Sequence, residues 1–256
     1  MYSKNIWKDA SQEKVNAIMN FCEDYKHFIS VGKTERICVK EALKIAESKG
    51  FKNLHDVKAA NVGDKLYLIN KNKNIILFTV GQKSVKEGLR VLGAHIDSPR
   101  LDIKQNPLYE KDGFALLDTH YYGGVKKYQW VTIPLAIHGV IALKDGTNVE
   151  VRIGEEGDDT TFVITDLLPH MARKQMEKKL SEGIEGEDLN LLIGSIPFDD
   201  DKVNEKVKLN IMKILNEKYG IVEKDFISAE LEIVPAFRAN SIGFDRSMVG
   251  GYGQDD

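Results

Sequence analysis

The clearest chemical pattern in the chain lies in Gly93-Ala94-His95-Ile96-Asp97-Ser98-Pro99-Arg100. The run that leads into it, residues 90–97, is mostly apolar and reads as a central strand buried on both faces. Side chains at i and i+2 of a strand point the same way. His95 and Asp97 would therefore share a face at the strand's C-terminal end, the edge where open α/β sheets present ligands. That pair suits a divalent metal: a neutral imidazole ligates zinc through one nitrogen, and a nearby carboxylate orients the ring or supports the catalytic base. The same two residues also read as a hydrogen-bonded core histidine and an aspartate that caps the following turn.

A second candidate is the carboxylate pair Asp255-Asp256, preceded by Gly250-Gly251-Tyr252-Gly253. Glycines let a backbone approach a ligand or take positive φ, and a carboxylate at the tip of such a loop could bridge two cations. Read alone, it is first of all a solvated acidic terminus, although domains more often close on a docked helix or strand than on a glycine-rich loop. Asp199-Asp200-Asp201 precedes a helical pattern and reads as its cap. His27 and His55 lie near helix ends, His120 adjoins Tyr121-Tyr122-Gly123-Gly124, and His170 opens a helical pattern. His138 sits in a β-rich run, Ile133-Pro134-Leu135-Ala136-Ile137-His138, where a lone histidine ordinarily packs or faces solvent.

Several function classes are disfavoured. The 36 basic and 39 acidic residues leave a formal charge of -3, so nothing electrostatic points to nucleic acid or an anionic membrane surface. No apolar run approaches the length of a membrane span, and the N-terminus lacks the pattern of a secretory signal, which together suggest a cytoplasmic protein. The two cysteines, Cys22 and Cys38, fall inside helical patterns and read as buried thiols. There is no G-x-S-x-G elbow, Walker loop, dinucleotide fingerprint or C-x-x-C pair.

The 256 residues, 42% of them apolar, have room for one large domain or two modest ones. Val15, Ile18, Met19, Cys22 and Tyr25 follow helical spacing, and Cys38, Ala42, Ile45 and Ala46 mark a second helix from a Thr34 cap to Gly50. Residues 65–70 and 75–80 read as strands joined in hairpin style. Residues 129–153 carry two β-rich runs with Asp145-Gly146 as a two-residue turn, followed by a short strand at 160–165. Helices are expected at 171–180 and 202–219, then a half-buried strand in which Ala229, Leu231 and Ile233 alternate with Glu230 and Glu232. This order suggests one domain, 1–105 with 236–256, interrupted by a β-rich one, 106–235.

Taken together, Lys33-Thr34-Glu35-Arg36, residues 93–104, Tyr122-Gly123-Gly124, residues 133–138, residues 166–170 and residues 244–256 resemble the zinc aminopeptidases that include aminopeptidase I and aspartyl aminopeptidase. The segments run in the family's order across nearly the whole chain. The resemblance implies a three-layer α/β catalytic domain, incomplete here, interrupted by an inserted β-rich dimerisation domain. It implies removal of the N-terminal residue from peptides with a free N-terminus at a site of two zinc ions, with cobalt or manganese as possible substitutes. Carried over residue by residue, His95 matches a zinc ligand, Asp97 the carboxylate that supports catalysis, and Asp256 the carboxylate bridging both metals. His138 matches a histidine that reaches a neighbouring subunit's active site. A homo-oligomer of dimers gathered into a larger closed particle is implied as well. The family places a glutamate base and further ligands downstream of the bridging aspartate. The chain is accordingly expected to be the N-terminal part of such an enzyme, inactive by itself, and a non-catalytic assembly or regulatory protein that has lost its metal site is the alternative.

Overall fold

The computed structural model describes residues 4–155, 157–158 and 160–254. The chain divides into two compact units, Met1–Asp97 with Arg238–Asp256, and Ser98–Phe237. The first break precedes residue 105 because the strand that opens the second unit runs unbroken from Arg100 to Lys111.

In the first unit, helix α1 (Gln12–Val31) is capped by Ser11, whose Oγ accepts from Lys14 N at 3.3 Å. It stops at Gly32, whose N–H donates to Phe28 O at 2.7 Å. Helix α2 (Glu35–Ser48) begins after Thr34, which has the extended backbone of a cap residue but makes no side-chain cap bond. Gly50, at φ +84°, turns the chain away from it. α2 buries Cys38, Val39 and Ala46 and packs against a small sheet of β1 (Lys52–Asn53), β2 (Lys65–Asn70) and β3 (Asn74–Thr79). β2 and β3 form the expected hairpin, with Lys71 and Asn72 both at positive φ in the turn.

Residues 88–98 depart from expectation. The run read as a central strand has no regular secondary structure, and Val91 and Leu92 are fully exposed or nearly so. Its apolar content marks a capacity to be buried between neighbours. Among the described residues no strand pairs with it, and a strand exists only through such pairing.

The second unit is built on a six-stranded antiparallel sheet of β4 (Arg100–Lys111), β5 (Phe114–Tyr122), β6 (Leu135–Ala142), β7 (Asn148–Ile153), β8 (Leu191–Gly194) and β9 (Ala229–Pro235), in the order β7-β6-β9-β4-β5-β8. Leu101, Ile233, Ile137 and Ile153 stand in register across four strands on one face. Ile103, Ile137, Ile153 and Leu231 meet Leu215, Tyr219, Ile221 and Phe226 from the helical segments that cover this face. Leu101 and Ile233 have no exposed surface, and burying each contributes about 1.5–3 kcal/mol.

Local elements shift where tertiary contacts decide them. The β6–β7 turn has three residues, Lys144 to Gly146, closed by Leu143 N donating to Thr147 O at 2.8 Å. Residues 160–165 form isolated bridges only, Phe162 with Leu135 and Val163 with Leu192. The helix expected over 171–180 shrinks to α3 (Arg173–Met176), because Met171, Met176 and Leu180 are all exposed and a short helix without a packed face is marginal. Helix α4 (Lys206–Tyr219) starts four residues late. Asp200 caps a separate turn at Lys202 N, and Glu110 of β4 accepts from Val207 N and Lys208 N at 2.8 and 3.0 Å in place of a local cap. β9 is also more buried than its alternation suggests: as the third strand of six it has neighbours on both sides, and Glu232 is 3% exposed. Back in the first unit, β10 (Asn240–Ile242) and β11 (Met248–Gly250) form a hairpin that leads to the glycine-rich end.

Two substitutions test this architecture. Gly139 of β6, at φ +148°, lies so close to β9 that an added Cβ would overlap the carbonyl of Glu230. Gly139→Ala should therefore destabilise the fold by about 2–3 kcal/mol in urea unfolding. Glu110→Ala removes the one carboxylate oxygen that accepts from both N–H groups at the α4 terminus and should cost about 1–2 kcal/mol in the same measurement.

Candidate metal centre

His95 and Asp97 are brought together without a sheet around them. His95 Nδ1 lies 3.1 Å from the backbone oxygen of Asp97 and 3.3 Å from its Oδ1. Both oxygens accept, so the tautomer that makes these contacts carries its proton on Nδ1. Nε2 is then the ring nitrogen with the lone pair that a metal would take, in the histidine–carboxylate arrangement common behind metal ligands. The imidazole is 62% exposed and the carboxylate 35%, so neither reads as a core residue in the described chain.

Asp256, the matched bridging carboxylate, lies outside the described residues. The segment before it can be followed to Gln254, whose backbone oxygen accepts from Tyr25 Oη of α1 at 3.4 Å.

His138 belongs to the second unit. It stands in mid-β6, has no exposed surface, and places Nε2 2.7 Å from Glu155 Oε1 at angles poor for a hydrogen bond. Its Nδ1 has no hydrogen-bond partner among the described residues. In register with it are Arg152 on β7 and Glu232 on β9, and Glu232 is in turn opposite Asp102 on β4. Arg100 completes this polar row. Its Nε donates to Asp102 Oδ1 at 2.8 Å, its second guanidinium nitrogen lies 3.3 Å from Glu232 Oε1, and its guanidinium carbon stands 4.2 Å from the centre of the Tyr122 ring.

Arg100, Asp102, Glu155 and Glu232 were not singled out by sequence reasoning. Arg100 and Asp102 carried a legible signal, since they share an i, i+2 face just after His95-x-Asp97. Glu155 carried none, because its approach to a residue 17 positions earlier is set by the β6–β7 register.

The donor chemistry of His95 and Asp97 fits part of a zinc centre. Zinc takes three or four protein ligands, and no group of three or more histidine, cysteine, aspartate or glutamate side chains among the described residues could hold a metal ion. Within this set, His95 has the chemistry to serve as a ligand and Asp97 to serve as the carboxylate that orients it.

Comparison with known proteins places these residues in context. A family model described as "Aminopeptidase I zinc metalloprotease (M18)" matches residues 28–256. The chain is 56% identical to a "Probable M18 family aminopeptidase 1" of Clostridium acetobutylicum, over 99% of this chain and 55% of that protein. The crystal structure of an M18-family aminopeptidase from Thermotoga maritima superposes with a TM-score of 0.93 at 47% identity, over 100% of this chain and 55% of that one. The S. cerevisiae mApe1 dodecamer shares the fold at 18% identity, with a TM-score of 0.64 over 91% of this chain and 52% of that one. The chain thus spans about half the length of the relatives it matches. With His95-x-Asp97 and the glycine-rich segment both inside the matched region, the chain belongs to the M18 family of aminopeptidase I zinc metalloproteases.

Proposed function

We propose that this chain contributes the first metal-site residues and the assembly surface of an aminopeptidase that hydrolyses the N-terminal residue from peptides at a two-zinc site. The observation that carries the reading is the His95–Asp97 contact, which holds one imidazole as a metal ligand should be held, in a chain of a zinc metalloprotease family. The remaining donors, among them a glutamate base, belong to a segment like the one that makes up the rest of the relatives' length. That segment also supplies the strands that residues 90–97 need to become the central strand of a three-layer catalytic domain.

Bound metal would supply Lewis-acid polarisation of a scissile carbonyl and activation of water near neutral pH. Asp97 keeps the proton of His95 on Nδ1 and fixes the plane of the ring. His95 and Asp256 would be the residues of this chain that hold the metal. The resemblance also gives His138, on the inserted β-rich domain of residues 106–235, a role at a neighbouring subunit's substrate. With no exposed surface, it could play that role only if Glu155 moved off its ring, and the enzyme would then work as dimers assembled into a larger closed particle. The yeast neighbour with the same fold is a dodecamer, which is consistent with the assembly in this reading. Cobalt or manganese can replace zinc, since imidazole and carboxylate accept several divalent ions. Among the described residues no helix is long and apolar enough to cross a membrane.

At its full natural length the protein should contain zinc and release aminoacyl anilides. Chelation should abolish that activity, and added zinc, cobalt or manganese should restore it. His95→Ala should lower kcat/KM at least about 100-fold with loss of bound metal, and Asp97→Asn should weaken metal binding by about 10- to 100-fold. A metal-free protein that still assembles would identify the non-catalytic assembly protein instead.

A further inference from the structure

The C-terminal half of α1 is tied to the glycine-rich segment through polar groups that the proposed chemistry does not itself use. Lys26 is 9% exposed; its Nζ donates to Glu23 Oε1 at 2.9 Å and to Ser241 Oγ on β10 at 2.8 Å. Glu23 Oε1 also accepts from Arg246 at 2.8 Å, in the loop between β10 and β11, so Glu23 ties the helix to the hairpin loop while Lys26 ties it to β10. The Lys26 ammonium beside it holds the Glu23 carboxyl below the usual range. One turn further on, Ser30 is 6% exposed. Its Oγ donates to Lys26 O at 2.6 Å and accepts from Ala239 N at 2.9 Å.

Packing completes the attachment. A Cβ on Gly251 would stand 2.8 Å from Ala239 Cβ and 2.9 Å from Ile29 Cδ1, so the segment after β11 lies flat against α1 where only glycine fits. Lys26 and Ser30 are four residues apart and therefore occupy one helix face. A buried ammonium is costly unless every partner is in place, whereas an apolar contact would tolerate sliding. The charge thus selects a single register of the hairpin on the helix.

We propose that Lys26, acting with Glu23 and Ser30, is a positioning residue that sets where residues 250–254 run, the segment that leads to the proposed metal carboxylate, Asp256. The inference rests on the reading of Asp256 as the shared metal ligand.

The test uses the zinc-loaded protein at its full natural length and follows zinc loss to a competing chelator, kcat and KM separately, and thermal unfolding. Lys26→Met should retain zinc about tenfold more weakly and lower kcat with little change in KM, while Lys26→Arg, which keeps charge and donors, recovers most of the loss. Wild-type zinc retention in Lys26→Met, with only a lower unfolding temperature, overturns the proposal and leaves Lys26 a purely structural residue. If Lys26→Met does not fold, Ser241→Ala carries the test, and wild-type zinc retention there overturns the proposal equally. Asp256→Asn separates the two ideas. Unchanged zinc in that variant refutes the reading of Asp256 and the clamp with it. Zinc lost in Asp256→Asn but kept in Lys26→Met and Ser241→Ala refutes the clamp alone.

Discussion

Arg100 stands at the first position of β4 with its guanidinium among Asp102, Glu232 and the ring of Tyr122, and the β-rich unit is arranged around that contact. A charge that is 7% exposed must be met by opposite charge of good geometry, because an unpaired buried ion costs several kcal/mol. Asp102 is local, but Glu232 arrives on β9, which comes last among the unit's strands and enters the sheet between β6 and β4. Placing Glu232 beside Arg100 also sets Ile233 opposite Leu101 and Ile137, so one register satisfies the polar face and the apolar face together. A slip of one residue would turn both faces inside out.

The same insertion explains why charged residues lie inside this sheet. β9 has a strand on each side, so Glu232 cannot reach water by facing an edge. His138, in register with it on β6, is drawn into the same covered row, where Glu155 stands against its ring. The polar row spans the strands that hold the unit together, which makes its residues structural as well as chemical.

The first unit solves a different problem. His95 and Asp97 meet through the backbone of three consecutive residues, a contact that needs no surrounding sheet. A metal centre needs more, since its ligands must converge from separate elements. In this unit the hairpin that leads to the glycine-rich segment is held by α1, a helix more than 200 residues earlier in the chain. Local geometry thus fixes the His95 imidazole, whereas the course of the chain after β11 depends on tertiary attachment to α1.

Patterns that depend on neighbours in sequence were legible from the residues. The spacing of Val15, Ile18, Met19 and Cys22 specifies α1, Gly50 and Gly220 end α2 and α4, and the polar turn at 71–74 marks the β2–β3 hairpin. The segments shared with M18 aminopeptidases were legible too, and with them the family. Tertiary structure alone decided that Glu232 is buried rather than solvent-facing, that α4 is capped by Glu110 from another strand, and that Lys26 and Ser30 hold the hairpin. It also left residues 90–97 without strand partners among those described. The reason is common to all four. Periodicity and capping report which surfaces a segment can bury, while the partner that buries them, or fails to, is fixed by contacts between residues far apart in the chain.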